Sequence, residues 1–319
     1  MKTAVVIPAY KVTKQILSVL EAIGPEVSAI YVVDDCCPDA SGSFVKTHAH
    51  DPRIQVLSNL ENKGVGGAVI TGYLAALNDG SDIMVKIDGD GQMDPSLLPQ
   101  FIAPILQGQA DYTKGNRFFD LEQIHQMPTI RLIGNAVLSF MSKLSTGYWD
   151  LFDPTNGYTA IHRSVALRLP YAKISQRYFF ETDMLFRLNT LGAVVVDIPM
   201  DAKYGDEESS LKIGKILPEF LMKHTRNLLK RIFYNYYLRD MSIASVELPI
   251  GLLLLLFGLI FGSIAWITSI RTGVATSAGT VMLSALPLIL GLQFILAFLA
   301  NDMSRIPKRP LQHIWKKSS

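Results

Sequence analysis

Over roughly the first 200 residues, short apolar or β-branched runs alternate with stretches of helical periodicity. The runs are Ala4–Ile7, Ala29–Val33, Ile54–Leu57, Ile83–Ile87, Tyr112–Lys114 and Val194–Ile198, and Lys14–Ile23 and Val65–Leu77 between them read as helices. This repetition predicts an α/β domain, a mostly parallel sheet with helices on its faces. In such sheets ligands gather at the carboxyl ends of the strands, where loops and helix N-termini converge. Polar residues that break the pattern sit there: Pro8-Ala9-Tyr10 after the first run, Asp34-Asp35 after the second and Asp88-Gly89-Asp90 after the fourth.

The periodicity then changes. From Leu217 to Tyr237, Leu217, Phe220, Leu221, Leu228, Ile232, Phe233 and Tyr236 recur at helical spacing, with Lys223, Arg226, Lys230 and Arg231 opposite. Lys212–Arg239 holds seven basic residues and one acidic, Glu219. Such a helix lies on an anionic leaflet, packs on the domain with its charged face in water, or does both. Beyond it, Leu248–Ile270 and Val274–Asn301 carry no charge over 23 and 28 residues. About 20 apolar residues cross a bilayer core, so the pair predicts a membrane hairpin rather than two core helices. The expected organisation is a catalytic domain over 1–211, a basic juxtamembrane helix region over 212–246, two transmembrane helices over 247–303 and a basic tail over 304–319. Basic residues flank the hairpin on both sides, and its turn holds a single Arg271. The positive-inside rule therefore places the domain and both termini in the cytoplasm, in a multi-pass protein of the cell membrane. Ala4–Ala9 is too short for a signal-peptide core, so no secretory signal is expected. Gly258-x-x-x-Gly262 offers a close helix contact, within the hairpin or between copies of the chain.

Composition narrows the classes. Of 319 residues 49% are apolar and 18% charged, too greasy for an ordinary soluble protein and too apolar for disorder. Thirty basic against 28 acidic residues leave a net charge of +2, which argues against nucleic acid as a partner held by global charge. The two cysteines, Cys36 and Cys37, are neighbours and cannot staple distant segments.

Asp88-Gly89-Asp90-Gly91-Gln92 carries the clearest chemistry. Two carboxylates one residue apart, on a glycine turn at a strand end, can approach one hard cation, Mg²⁺ or Mn²⁺, shared with substrate phosphates. Asp-Gly is equally a turn dipeptide, and Gln92 either reaches the same ion or begins a helix. Asp34-Asp35 can bind a base edge and a ribose, or cap the following turn. Asn62-Lys63-Gly64-Val65-Gly66-Gly67-Ala68 opens a helix whose backbone N–H groups can meet an anion, but it has neither Walker nor Rossmann spacing. Arg117 and Arg131 can each bind a pyrophosphate or an acidic neighbour.

Taken in order, VVIPAY (Val5–Tyr10), VVDD (Val32–Asp35), NKGVGGA, DGDGQ and GNR (Gly115–Arg117) resemble the family 2 glycosyltransferases of the GT-A fold. With the hairpin, the likeness is to the polyprenyl-phosphate glycosyltransferases, the group of dolichol-phosphate mannose synthase and the bactoprenol glucosyltransferases. The resemblance implies that Pro8, Ala9, Tyr10, Asp34 and Asp35 surround a nucleoside, with Lys63 and Gly64 close to the donor. It also implies that Asp88, Gly89, Asp90 and Gln92 hold metal and diphosphate, and that Arg117 and Arg131 face phosphates. Lys203 and Lys212 fall where relatives place basic residues before the membrane. Asp153, Glu181 and Asp183 fall on the acceptor side as positioning groups or a general base. A phosphate monoester with a second pKa near 6 is already ionised at neutral pH, so a strong base is not required. The expected activity is metal-dependent transfer of one sugar from a UDP- or GDP-sugar to a polyprenyl phosphate, and some members of the group are oligomers. Transfer to another lipid or to a protein, and an anchored nucleotide-sugar-binding scaffold, are the alternatives. Asp35-Cys36-Cys37-Pro38-Asp39 departs from the Gly-Ser common after the acidic pair, and the Q-x-x-R-W signature of processive synthases is absent.

Overall fold

The computed structural model describes residues 1–119, 129–201 and 213–315. They fall into two compact units, Met1–Leu228 with Pro307–Ser319, and Leu229–Ile306. The first unit is built on a seven-stranded sheet: β1 (Thr3–Ala9), β2 (Ala29–Asp34), β3 (Ile54–Ser58), β4 (Ile83–Lys86), β5 (Tyr112–Asn116), β6 (Thr159–His162) and β7 (Val195–Pro199). Their order is β3-β2-β1-β4-β6-β5-β7. All neighbours pair in parallel except β6, which runs antiparallel to both β4 and β5. Helices on both faces bury the central strands, so β1 reads as an almost continuous apolar run, buried at every residue but Pro8. Val5 pairs in register with Ile30 on one side and Val85 on the other, and all three belong to the main core. The helix Val65–Asn78 lies tight on this sheet because Gly72 has no side chain; a Cβ there would run into Val6 and Val33.

The mostly parallel sheet expected from the pattern is present. β6 was not foreseen: it has only four residues, and polar Thr159 and His162 form its ends. β5 extends past Lys114 through Gly115-Asn116, so Arg117 leaves directly from a strand end. Part of the stretch expected as a basic tail is packed into the first unit. The Asp111 carboxylate, just before β5, accepts hydrogen bonds from Val194 N (2.9 Å), Leu311 N (2.8 Å) and Gln312 N (3.0 Å). Gln312 donates to the carbonyls of Ile105 and Ala110, and the Arg168 guanidinium stacks 3.9 Å over the Trp315 ring.

The helix Ile213–Phe233 continues into a π-turn, Tyr234–Arg239. Its buried side is polar: His224 hydrogen-bonds Ser145 Oγ at 2.8 Å and Asn227 donates to Asp183 at 3.0 Å. Leu217, Leu221 and Met222 point outward and are more than half exposed. Phe220 packs edge-on against Phe179 beside His224, while Arg226 and Lys230 are exposed with Leu217, Leu221 and Met222, so the outward side mixes apolar and basic residues.

In the second unit, Ile243–Thr272 and Ala278–Ser304 are helices of 30 and 27 residues joined by a short turn. At 1.5 Å per residue either exceeds the roughly 30 Å hydrocarbon core. Their apolar side chains face outward; Trp266 is 72% exposed. The two helices close on small residues, Gly251 against the Gly291 backbone and Gly258 and Gly262 against Ser284, so the Gly-x-x-x-Gly pair is used inside one hairpin. Asp302, at the end of the second helix, takes both Arg231 amino groups (2.6 and 2.9 Å) and the Tyr236 hydroxyl (2.8 Å). That set of bonds compensates a buried charge on each partner.

Candidate active site

The carboxyl ends of β1, β2 and β4 bring the predicted loops to one edge of the sheet. Gly89 lets the β4 loop close on the β1 loop; a Cβ at that position would lie 3.2–3.5 Å from Val12, Ile7 and the Pro8 carbonyl. Tyr10 is 44% exposed beside it. The acidic pair after β2 is committed to the backbone. Asp34 accepts from Cys37 N (2.8 Å) and Gly42 N (2.6 Å). Asp35 accepts from Asn59 Nδ2 (2.8 Å), Lys63 N (3.0 Å) and Gly64 N (2.7 Å). The anion held by the start of the helix Val65–Asn78 is therefore the protein's own Asp35. Gly64 has φ +84 and its neighbour is the Gln176–Arg177 backbone, a position only glycine fills without strain. Lys63 borders a cavity of about 380 Å³ shared with Arg177 and Lys223.

Lys86, the last residue of β4, organises the Asp88 loop. Its side chain is 1% exposed, with Nζ 3.0 Å from Asp88 Oδ1 and 3.2 Å from Glu181 Oε1. Burial opposes its charge, but the two carboxylates hold its proton affinity above the usual lysine range. Glu181 is shifted upward by burial, with Asp88 adding and Lys86 opposing. Gly157 completes the wall: a Cβ there would collide with Lys86 Nζ, Asp88 Oδ2 and Met93. Asp90 accepts from Gln92 N at 3.0 Å, which tightens the turn.

Arg117 grips Asp153 in a bidentate pair, Nε–Oδ2 2.7 Å and Nη2–Oδ1 3.1 Å, and its backbone N–H adds a third bond. Burial raises the Asp153 pKa, but Arg117 and then Lys114 outweigh it and hold the carboxyl below the ordinary carboxylate range. A carboxylate held this way is a poor proton acceptor. Asp183 accepts from Ser175 N and Asn227 Nδ2, and among the described contacts none joins it to Asp88 or Asp153. Of the three acceptor-side carboxylates, Glu181 is the one linked to the Asp88 loop. The side chain of Arg131, and all of Lys203 and Lys212, lie outside the described residues. Lys86 and Gly157 had no role in the sequence reading. The available signal was a lysine ending an otherwise apolar strand, which has to find anionic partners.

The donor set suits a hard divalent cation. Asp88 and Asp90 offer carboxylate oxygens, and Asp88 Oδ1 is a buried atom that no hydrogen bond reaches among the described residues. Among the described residues there is no cluster of three or more His, Cys, Asp or Glu able to hold a metal alone. A cation that keeps one or two carboxylates and takes its remaining ligands from water and phosphate fits this set.

Residues 4–169, just over half of the chain, match the family model described as Glycosyl transferase family 2, and the chain belongs to that family. Its sheet domain is the Rossmann-like GT-A fold. Undecaprenyl-phosphate mannosyltransferase of Micrococcus luteus is 31% identical over 231 residues, 71% of this chain and 93% of that one. A UDP-N-acetylglucosamine–dolichyl-phosphate N-acetylglucosaminyltransferase of Methanococcus voltae is 30% identical over 187 residues, 54% of this chain and 74% of the relative. Among solved structures, glucosyl-3-phosphoglycerate synthase from Mycobacterium tuberculosis with Mn²⁺, UDP-glucose and phosphoglyceric acid superposes at TM-score 0.53 and 19% identity, over 72% of this chain and 79% of that one. That likeness is one of fold.

Proposed function

We propose that the protein transfers a single sugar from a nucleotide-sugar to a polyprenyl phosphate at the cytoplasmic face of a membrane, with Mg²⁺ or Mn²⁺. The observation that carries the reading is Asp88 Oδ1, buried in a loop at the ligand-binding edge of the sheet, which has an ammonium 3.0 Å away but takes no hydrogen bond among the described residues. The acceptor is supported by the two relatives named above, which act on undecaprenyl and dolichyl phosphates, and by the two membrane-length helices. The outward side of the helix Ile213–Phe233, with apolar and basic residues together, supports a membrane-surface position for the domain. Leu311 and Gln312 follow both spans in sequence, yet bind Asp111 of the first unit. This supports two crossings with both flanks on one side, in agreement with the basic residues there.

In this reading Asp88 and Asp90, with Gln92, hold the cation against the donor diphosphate. The bound cation supplies charge neutralisation to the leaving nucleotide diphosphate. Asp34 and Asp35 shape the nucleoside pocket through the backbone they hold, with Pro8, Ala9 and Tyr10 on its opposite wall. Lys63 and Gly64 border the donor, and Arg131, Lys203 and Lys212 supply positive charge for two anions that must meet. Asp153 keeps Arg117 in place, Asp183 ties its own helix, Phe180–Leu191, to the helix Ile213–Phe233, and Glu181 positions Lys86. A pre-ionised phosphate attacks without a base, which matches the low proton affinity of Asp153. An acceptor hydroxyl on another lipid or a protein would instead need one.

The test is a screen of UDP- and GDP-sugars on membranes holding the protein, with polyprenyl phosphate and Mg²⁺ or Mn²⁺. Product is expected with one donor, and is lost on chelation and in Asp88→Asn and Asp90→Asn. Turnover that survives both chelation and the double substitution overturns the reading.

A further inference from the structure

Lys86 has a place in the site that the reaction just described does not explain. Its ammonium is buried and is shared by two carboxylates, its near neighbour Asp88 at 3.0 Å and the distant Glu181 at 3.2 Å. Here the sharing is uneven. Asp88 Oδ2 accepts a long hydrogen bond of 3.4 Å, while Oδ1 lies within ion-pair distance and is left without one. Asp88 is thus neutralised without being saturated. Gly157 backs the pair so closely that a single added methyl would meet both Nζ and Asp88 Oδ2, which leaves Glu181 as the partner toward which the ammonium can lean.

We propose that Lys86 is a built-in counter-cation for Asp88, which a divalent cation displaces chiefly when a nucleotide diphosphate arrives with it. The inference rests on the reading that Asp88 and Asp90 take that cation. Asp88 and Glu181 carry two negative charges beside this loop and Lys86 cancels one of them, so the free protein attracts a dication less than the carboxylates alone would. A dication approaching the free protein meets a like charge at contact distance from its first ligand. The diphosphate supplies the anionic charge that offsets this repulsion, and Glu181 keeps the ammonium paired once Asp88 is engaged. Metal and nucleotide then bind more tightly together than either alone, and a loose cation occupies the site only weakly. Glu181 acts in this as a positioning residue for Lys86.

The experiment uses full-length protein in detergent and titrates Mn²⁺, reading the free ion by electron paramagnetic resonance, without nucleotide and with UDP or GDP. Lys86→Met should bind Mn²⁺ alone about tenfold more tightly than wild type, with a smaller gain on adding nucleotide. Glu181→Gln should bind Mn²⁺ alone more weakly, because the ammonium is then left to Asp88. A mere scaffold pair would move both variants in the same direction. That result, or unchanged binding in Lys86→Met, overturns the proposal. If Lys86→Met fails to fold by circular dichroism, Glu181→Gln decides alone, and unchanged or tighter binding there refutes it. Wild-type protein that binds no Mn²⁺ with either nucleotide removes the metal reading itself, and the proposal with it.

Discussion

Arg117→Ala separates two roles for this arginine, contact with phosphate and support of a buried carboxylate. The substitution removes a guanidinium that meets Asp153 at 2.7 and 3.1 Å, and leaves behind a carboxylate that is 0% exposed. Breaking a buried pair from one side costs about 3–5 kcal/mol, because the remaining charge is uncompensated. Asn156 and Thr155 stay within reach of Asp153, and the Arg117 side chain is itself 32% exposed, so the lower end, about 3 kcal/mol, applies. Asp153→Asn keeps the shape and leaves the arginine access to water, at about 1 kcal/mol. The double variant should then fall close to the asparagine single, a coupling of about 3 kcal/mol. For a unit of this size 1 kcal/mol moves the melting temperature about 2–4 °C, so Arg117→Ala should melt about 6–12 °C below wild type. Tryptophan fluorescence on the full-length protein in detergent follows the transition, and activity is compared well below both midpoints. An Arg117→Ala protein that melts within about 1 °C of wild type yet has lost turnover would refute the supporting role and assign the arginine to substrate.

Gly157→Ala places a methyl against Lys86, Asp88 and Met93; the shift of Asp88 should lower turnover about 100-fold while the fold persists. Steady-state rates across a Mn²⁺ titration check this, and turnover within twofold of wild type would contradict it. Burial lowers the pKa of His224 to about 4 from 6.5. As pH falls through that window the unfolded chain takes up a proton that the folded chain refuses, so stability drops by about 3 kcal/mol between them. Melting curves should show this loss in wild type and not in His224→Gln; superimposable pH profiles would rule it out.

The strands were legible where they are buried on both faces, because β1, β2 and β4 have no polar side to confuse the period. β6 escaped because four residues with Thr159 and His162 at its ends carry no periodic signal. The Asp88 loop stood out as polar residues after an apolar run, but its partners come from afar: Glu181 lies 95 positions from Lys86 and Asp153 lies 36 from Arg117. No local pattern encodes such pairings. The basic helix shows another limit. Its two faces were plain in the sequence, but the side turned inward runs through His224 and Asn227, which belong to neither and are held by Ser145 and Asp183.

The closure of Asp111 by Leu311 and Gln312 bears on how the molecule is made. A ribosome releases the N-terminal segments first, and these two residues follow only after both long helices have emerged. Until then an aspartate just before β5, a strand inside the sheet, waits without two of its three amide partners. Completion of that seam thus waits until both long helices have been made, and a chain that stops within them leaves it open to quality-control proteases.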